Sequence, residues 1–161
     1  NADLYDLTPQ THSVFDLVMT TIGVVGWMPD LKGFFDVVAG LVDDGGYYLM
    51  EEMHPVLLMY EPGQNGGPSY AARSYFAADT FIDEQGPDYY SGQPYQASPV
   101  YSFQYTLAQL MTTALDVGLS LRCFDEVGYD ISLFCADIEG QKACPPLGIV
   151  LAWQKLDSGC G

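Results

Sequence analysis

The feature that most constrains the fold is an apolar run, a helical pattern and a second apolar run that follow one another directly. Residues 14–22 are apolar without alternation, which is typical of a strand covered on both faces of a mostly parallel sheet. Apolar residues then recur at helical spacing over 31–42, and residues 47–52 indicate a second strand. Because a strand–helix–strand unit favours a right-handed parallel crossover, the sequence predicts an α/β fold.

The predicted helix has recognisable ends. Pro29 and Asp30 favour its start, where a carboxylate interacts well with the helix dipole. Gly45 and Gly46 are predicted to end it, since glycine adopts the left-handed cap without a Cβ clash. The face expected to pack on the sheet consists of Leu31, Phe34, Phe35, Val38, Leu41 and Val42.

The last third of the chain predicts one more helix and two more strands. Thr106 and Gln109 have the spacing of a capping box, and Gly118 is expected to end the helix that follows. Residues 119–127 and 148–155 indicate strands with no helical pattern between them. We therefore expect these two strands to pair antiparallel, as a hairpin with a long connection.

Residues 55–105 form a loop-rich insertion that contains most of the 12 tyrosines of the chain. A segment of this length without strong periodicity is unusual in a compact domain and is often a lid or a binding loop. Two alternatives stay open, a cover for a substrate and an insertion that packs on itself. Short strands of a small accessory sheet are predicted at 74–76 and 100–105.

Composition limits the classes of partner. With 161 residues, 48% of them hydrophobic, the chain is expected to form a single globular domain over 1–161. It has neither an apolar run long enough to span a bilayer nor a basic leader, so we expect a soluble, cytoplasmic protein. The net charge of −16 argues against nucleic acid and anionic membranes as partners. That charge either aids solubility or steers a cationic or sulfonium ligand.

The cysteines do not predict a metal site. Cys123, Cys135, Cys144 and Cys160 show no C-x-x-C spacing and have no neighbouring histidine. We expect reduced thiols, most of them in the core.

The order strand, helix, strand, insertion, helix, strand, strand resembles the back half of the class I S-adenosylmethionine (SAM)-dependent methyltransferase fold. Residues 1–7 (NADLYDL) resemble the segment that closes the third strand of that family, and 15–23 (FDLVMTTIG) its fourth strand and the following loop. Residues 41–47 (LVDDGGY) resemble its L-x-P-G-G turn, with Asp44 where proline is common. GWMPD at 26–30 and EMHP at 52–55 are similar to one subgroup of small-molecule methyltransferases.

The resemblance implies a Rossmann-like, three-layer, mostly parallel sheet with a C-terminal antiparallel hairpin. The glycine-rich loop and the ribose-binding acid of the family have no counterpart here. We therefore expect a C-terminal portion that lacks the N-terminal strands and binds SAM when the other half is supplied. The resemblance also implies that Asp3 and Leu4 meet the adenine and that Thr20, Thr21 and Ile22 lie along the cofactor.

Ligands of open parallel sheets bind beyond the carboxyl ends of the strands, which makes Glu52 and His54 candidates beside the acceptor. His54 is the predicted general base because its ordinary pKa is near neutrality, and its alternative is a packed or turn-capping histidine. Glu51 and Glu52 should point to opposite faces. Trp27 and Tyr60 are the other predicted acceptor contacts, with simple packing as the alternative for Trp27.

Three functions remain open at this level. The leading hypothesis is methyl transfer from SAM to a small molecule. The second is a non-catalytic interaction module that pairs through the exposed edge of the 14–22 strand, either as a homodimer or with a complementing chain. The third, part of a dinucleotide-binding oxidoreductase, is disfavoured by the predicted antiparallel hairpin.

Overall fold

The computed structural model describes residues 3–8, 12–77, 80–87 and 94–156. In chain order, its helices and strands are β1 (Phe15–Thr20), α1 (Leu31–Leu41), β2 (Val42–Met53), β3 (Tyr60–Glu61), β4 (Tyr70–Ala71), β5 (Phe81–Pro87), β6 (Pro94–Ser102), α2 (Leu107–Asp116), β7 (Leu119–Val127) and β8 (Gly148–Lys155).

The main sheet has four described strands in the order β1-β2-β8-β7. β1 and β2 are parallel, which confirms the predicted crossover through α1. β8 lies between β2 and β7 and runs antiparallel to both. The predicted C-terminal antiparallel pairing is thus confirmed in a mixed sheet, and β1, β2 and β7 point the same way.

Helix α1 begins as predicted and ends earlier than predicted. The Asp30 side chain caps it by accepting from the Gly33 N–H at 3.0 Å. The helix ends at Leu41, because Val42 already has extended backbone and pairs with Phe15 of β1. The expected stop at the two glycines is therefore wrong. Gly45, with φ of 78°, lies instead where the register between β1 and β2 shifts.

Both helices cover the same face of the sheet. The predicted capping box of Thr106 and Gln109 is present at the start of α2, and Gly118 follows its end with φ of 87°. The buried side chains of α1 and α2 belong to one core cluster with the inward residues of the strands. That cluster includes Phe34, Phe35, Val38, Tyr48, Met50, Leu110, Ala114, Leu151 and Trp153.

The opposite face of the sheet is open in the part of the chain that the structure describes. Leu17, Met19 and Tyr47 point to it and are 51%, 58% and 42% exposed. The expectation that the first strand is covered on both faces is therefore wrong for the described residues, which form two layers instead of the expected three.

The insertion, which we call the accessory segment (55–105), contains two small antiparallel sheets, β3–β4 and β5–β6. The predicted strand at 74–76 is wrong, because Ala77 N–H donates to Ser74 O in a turn there. The predicted strand at 100–105 overlaps the end of β6. Phe103 N–H then donates to Gly26 O at 2.8 Å, which ties the accessory segment to the loop after β1.

Two predictions from composition can be compared with the described residues. None of the helices in these ranges is long and apolar enough to cross a membrane. Cys135 is buried as expected, whereas Cys123 is exposed, contrary to the expectation of core thiols. Cys160 lies outside the described residues.

Candidate functional site

A cavity of about 490 Å³ lies at the carboxyl ends of β1 and β2, between the main sheet and the accessory segment. Such a position is where open α/β sheets bind ligands. Its lining is mostly apolar and aromatic: Gly23, Val25, Gly26, Trp27, Glu52, Met53, Pro55, Leu58, Arg73, Phe81, Ile82, Ser102, Phe103, Tyr105, Leu110 and Phe134.

The floor of this pocket depends on Glu52, the penultimate residue of β2. Its buried carboxylate accepts from the N–H groups of Gly23 at 2.7 Å, Met53 at 2.9 Å and Val25 at 3.2 Å. Burial raises the pKa of Glu52, and these backbone hydrogen bonds oppose the rise. Gly23 has φ of 86°, a conformation that suits glycine. Glu52 thus holds the loop after β1 against the end of β2.

The neighbouring acid points away. Glu51 is exposed on the open face, whereas Glu52 is buried at the pocket, which confirms the prediction that the two point to opposite faces. Because backbone amides occupy the Glu52 oxygens, this side chain fixes the wall of the pocket and is not a free acceptor for a ligand.

His54 is buried beside the pocket and has a partner at each ring nitrogen. Its Nδ1 accepts from Val56 N–H at 3.0 Å, so the ring proton resides on Nε2, which is 3.0 Å from Glu126 Oε1. Burial lowers the pKa of His54, and the Glu126 carboxylate opposes that shift. Of the two alternatives for this residue, the geometry matches a turn-capping histidine, because neither nitrogen has a free lone pair for a substrate proton.

The residues predicted along the cofactor fall into two places. Thr20, Thr21 and Ile22 lie at the carboxyl end of β1, directly before the pocket residue Gly23. The Thr20 hydroxyl is 2.7 Å from the Tyr48 hydroxyl, Thr21 is exposed and Ile22 is half-buried.

Asp3 and Leu4 belong to a separate segment. The Asp3 carboxylate accepts from Tyr5 N–H at 3.0 Å and caps a short 3-10 helix, and Leu4 packs against the core. The Tyr5 hydroxyl donates to Asp30 O at 3.1 Å, so this segment lies against the start of α1. Neither Asp3 nor Leu4 is among the described residues that line the pocket.

Of the two remaining predicted acceptor contacts, one lines the pocket and the other does not. Trp27 lines the pocket, with its side chain largely exposed. Tyr60 packs instead against a second small core with Leu57 and Cys135, away from the pocket lining.

Sequence reasoning missed the contributions of Arg73, Phe81, Phe103 and Phe134 to the pocket. Arg73 carries a signal in the sequence, because it is one of only five Lys and Arg residues against 21 acids. The aromatic residues gave no signal, since their positions depend on how the accessory segment and the connection between β7 and β8 fold back.

No family model and no curated protein matches this sequence. Solved structures do match its fold. A protein from Listeria monocytogenes assigned as a SAM-dependent methyltransferase has a TM-score of 0.67 and 12% identity, over 97% of this chain and 68% of that one. A SAM-dependent methyltransferase from Mesorhizobium loti has a TM-score of 0.62 and 17% identity, over 95% and 67%.

The geranyl diphosphate C-methyltransferase of Streptomyces coelicolor A3(2) is similar at a TM-score of 0.53 and 10% identity, over 96% of this chain and 52% of that one. At these identities the likeness shows the fold. The chain therefore has the fold of class I SAM-dependent methyltransferases, which confirms the resemblance found in the sequence. It spans about two thirds of the length of the Listeria and Mesorhizobium proteins and about half that of the Streptomyces enzyme.

Proposed function

We propose that this chain forms the acceptor-binding part of a SAM-dependent methyltransferase that acts on a small molecule. The observation that carries the proposal is the cavity of about 490 Å³ at the carboxyl ends of β1 and β2, in a chain with the methyltransferase fold. The similar Streptomyces enzyme was solved with geranyl diphosphate and S-adenosyl-L-homocysteine bound, so this fold accommodates both a small acceptor and a nucleoside thioether.

The aromatic wall of the pocket suits a sulfonium. Aromatic side chains attract cations through their ring faces, and Trp27, Phe103 and Tyr105 line this wall of a chain with net charge −16. Bound SAM would supply the methyl group. Thr20, Thr21 and Ile22 are the proposed contacts along the cofactor, with Asp3 and Leu4 at the adenine. The glycine-rich loop for the methionine end is proposed to come from residues other than these 161.

The proposed role of the chain in methyl transfer is alignment and exclusion of water. Displacement at a sulfonium methyl needs the acceptor in line, and a mostly apolar pocket supplies position without competing water. Glu52 contributes by fixing the loop at Gly23. A base role for His54 would require it to release either Val56 or Glu126, so we do not assign the reaction a base at this residue.

The test is calorimetric titration of SAM into the 161-residue chain and into a version extended at its N terminus with residues from its reading frame. We expect the extended version to bind, and Trp27→Ala to weaken that binding while Tyr129→Ala, an exposed aromatic outside the pocket lining, leaves it unchanged. Micromolar binding by the 161-residue chain would show that the glycine-rich loop is dispensable. Failure of both versions to bind would reject the methyltransferase proposal.

A second function, an interaction module, is favoured by one observation. β1 is an edge strand among the described strands, and Leu17 and Met19 are exposed on the open face beside it. Exposed edges and apolar patches favour pairing with another chain. A complementing chain is favoured over a second copy, because two chains of charge −16 repel each other.

Light scattering after size exclusion tests this alternative. If the open face mediates association, Leu17→Lys should lower the measured mass, whereas Leu133→Lys, an exposed leucine outside the sheet, should not. The wild-type chain is measured alone and in a mixture with the N-terminal extension, supplied as a separate peptide. If it stays monomeric in both measurements, the interaction module is ruled out.

A further inference from the structure

One cation lies among the residues that line the pocket. Arg73 belongs to the accessory segment, and no other Lys, Arg or His is part of the described lining. Its guanidinium carbon is 4.0 Å from the centre of the Phe81 ring, a contact typical of a cation held against an aromatic face. The cation is therefore held in place at the wall of a mostly apolar cavity.

Glu61 accepts hydrogen bonds from only some of the N–H groups of this guanidinium. Arg73 Nε and Nη2 both donate to a single oxygen, Glu61 Oε1, at 3.1 and 2.8 Å. The other oxygen, Oε2, accepts from the Tyr70 hydroxyl at 3.2 Å. A guanidinium has more N–H donors than one carboxylate oxygen can accept. Within the described residues, the two N–H groups on Nη1 have no hydrogen-bond acceptor.

The remaining polar groups of the lining do not compete for this role. The Glu52 oxygens accept from backbone amides, and the Tyr105 hydroxyl donates to Met28 O. Ser102 contributes a neutral hydroxyl. A cationic ligand group placed next to Arg73 would meet its like charge. Arg73 is thus the charged donor of the described lining, and the Nη1 end of its guanidinium matches the geometry of an oxyanion.

We propose that the pocket binds a largely apolar molecule that carries one oxyanion, a carboxylate or a phosphate, and that Arg73 recognises that group through Nη1. The cavity of about 490 Å³ falls in the usual range of roughly 300–1,000 Å³ for small-molecule sites. The inference names the acceptor class of the proposed methyl transfer and in that sense rests on it. The binding site itself is tested without SAM.

Three probes of one ring system separate charge from shape: 2-naphthoate, 2-naphthyl phosphate and the uncharged 2-naphthamide. Each is titrated calorimetrically into the 161-residue chain in the absence of SAM. We expect at least one of the two anions to bind about tenfold or more tightly than the amide, which corresponds to about 1.4 kcal/mol. The anion that gains more identifies the oxyanion as carboxylate or phosphate. Equal binding of all three probes would overturn the proposal.

Variants test whether Arg73 is the cause. Arg73→Gln should remove the preference for the anion, and Arg122→Gln, which bonds Gln154 on the sheet, should leave it unchanged. Because Arg73→Gln leaves the Glu61 charge unpaired, the double variant Arg73→Gln/Glu61→Gln removes both charges and should also lack the preference. Glu61→Gln alone should bind the anion at least as tightly as wild type.

Two outcomes separate this proposal from the function above. Retention of the anion preference in the double variant would reject Arg73 as the recognition residue, whatever SAM does. If both Arg73 variants lose the preference and SAM fails to bind the extended chain, the oxyanion site is supported and methyl transfer is rejected.

Discussion

The two faces of the main sheet differ strongly in burial, although the same strands form both of them. Tyr47 and Tyr48 are adjacent on β2, yet Tyr47 is 42% exposed and Tyr48 is fully buried. Tyr48 lies beneath α1, with its ring 6.3 Å from that of Phe35. Tyr47 shares the open face with Leu17 and Met19. Burial here is thus decided by which face the helices cover, since both faces of this strand carry apolar side chains.

The covered face also leads to the pocket. Following β2 along that face, Tyr48 and Met50 are in the core and Glu52 holds the loop after β1. The face with the helices therefore fixes the geometry of the site. The exposed open-face residues Leu17, Met19 and Tyr47 are not part of the described pocket lining.

The largest expected effect compares the two tyrosines directly. Tyr48→Ala should lower the free energy of unfolding by about 3–5 kcal/mol, because it leaves a cavity in the core and removes the hydroxyl contact with Thr20. Tyr47→Ala should cost less than about 1 kcal/mol. Urea unfolding of both variants measures the difference. Similar losses would show that the open face is covered in solution.

The next comparison uses the two adjacent acids. Glu52→Ala should cost about 1–3 kcal/mol, since it leaves the N–H groups of Gly23, Val25 and Met53 without their acceptor in a buried place. Glu51→Ala on the open face should stay within about 0.5 kcal/mol of wild type. Thermal and urea unfolding provide the values. If the Glu51 variant had the lower free energy of unfolding, the role given to Glu52 would be wrong.

A smaller effect is expected where α2 begins. Thr106→Ala removes the side-chain cap that accepts from Gln109 N–H and should cost about 1 kcal/mol. Thr112→Ala on the exposed side of the same helix should be neutral or slightly stabilising, because alanine has the higher helix propensity. An unfolding series on the two variants compares them. Equal effects would contradict the importance of the cap for covering this face.

The smallest expected effect is the pH dependence contributed by His54. Burial lowers its pKa, so the unfolded chain takes up the proton first as the pH falls below the ordinary histidine pKa of about 6.5. The stability that His54 contributes is full above that pH and is lost towards its folded pKa. His54→Asn keeps an acceptor for Val56 N–H and removes the titration.

We therefore expect the stability difference between wild type and His54→Asn to shrink between roughly pH 7.5 and roughly pH 5.5. Urea unfolding at both values measures it, with His12 common to both chains. A difference that grows at the lower pH would show that the attraction to Glu126 outweighs the burial of His54.

Local patterns predicted the elements well. The Asp30 cap, the Thr106–Gln109 capping box and the strands at 119–127 and 148–155 all follow from residues close in sequence. The end of α1 was missed because pairing between Val42 and Phe15 competes with a glycine stop, and that pairing is not local. The candidate site was predicted only in part, through Glu52 near the end of β2 and Trp27 in the loop after β1.

The sequence by itself determined the α/β order of elements and the parallel crossover, because capping and periodicity act within a few residues. The methyltransferase fold followed from the resemblance of its ordered motifs to that family. Only the tertiary structure decided that β8 lies between β2 and β7, that both helices cover one face, and that Arg73 reaches the pocket. The tertiary structure also decided that both ring nitrogens of His54 form hydrogen bonds, one with Val56 N–H and one with Glu126. These features depend on contacts between distant segments, whose geometry is fixed by packing and not by neighbouring residues.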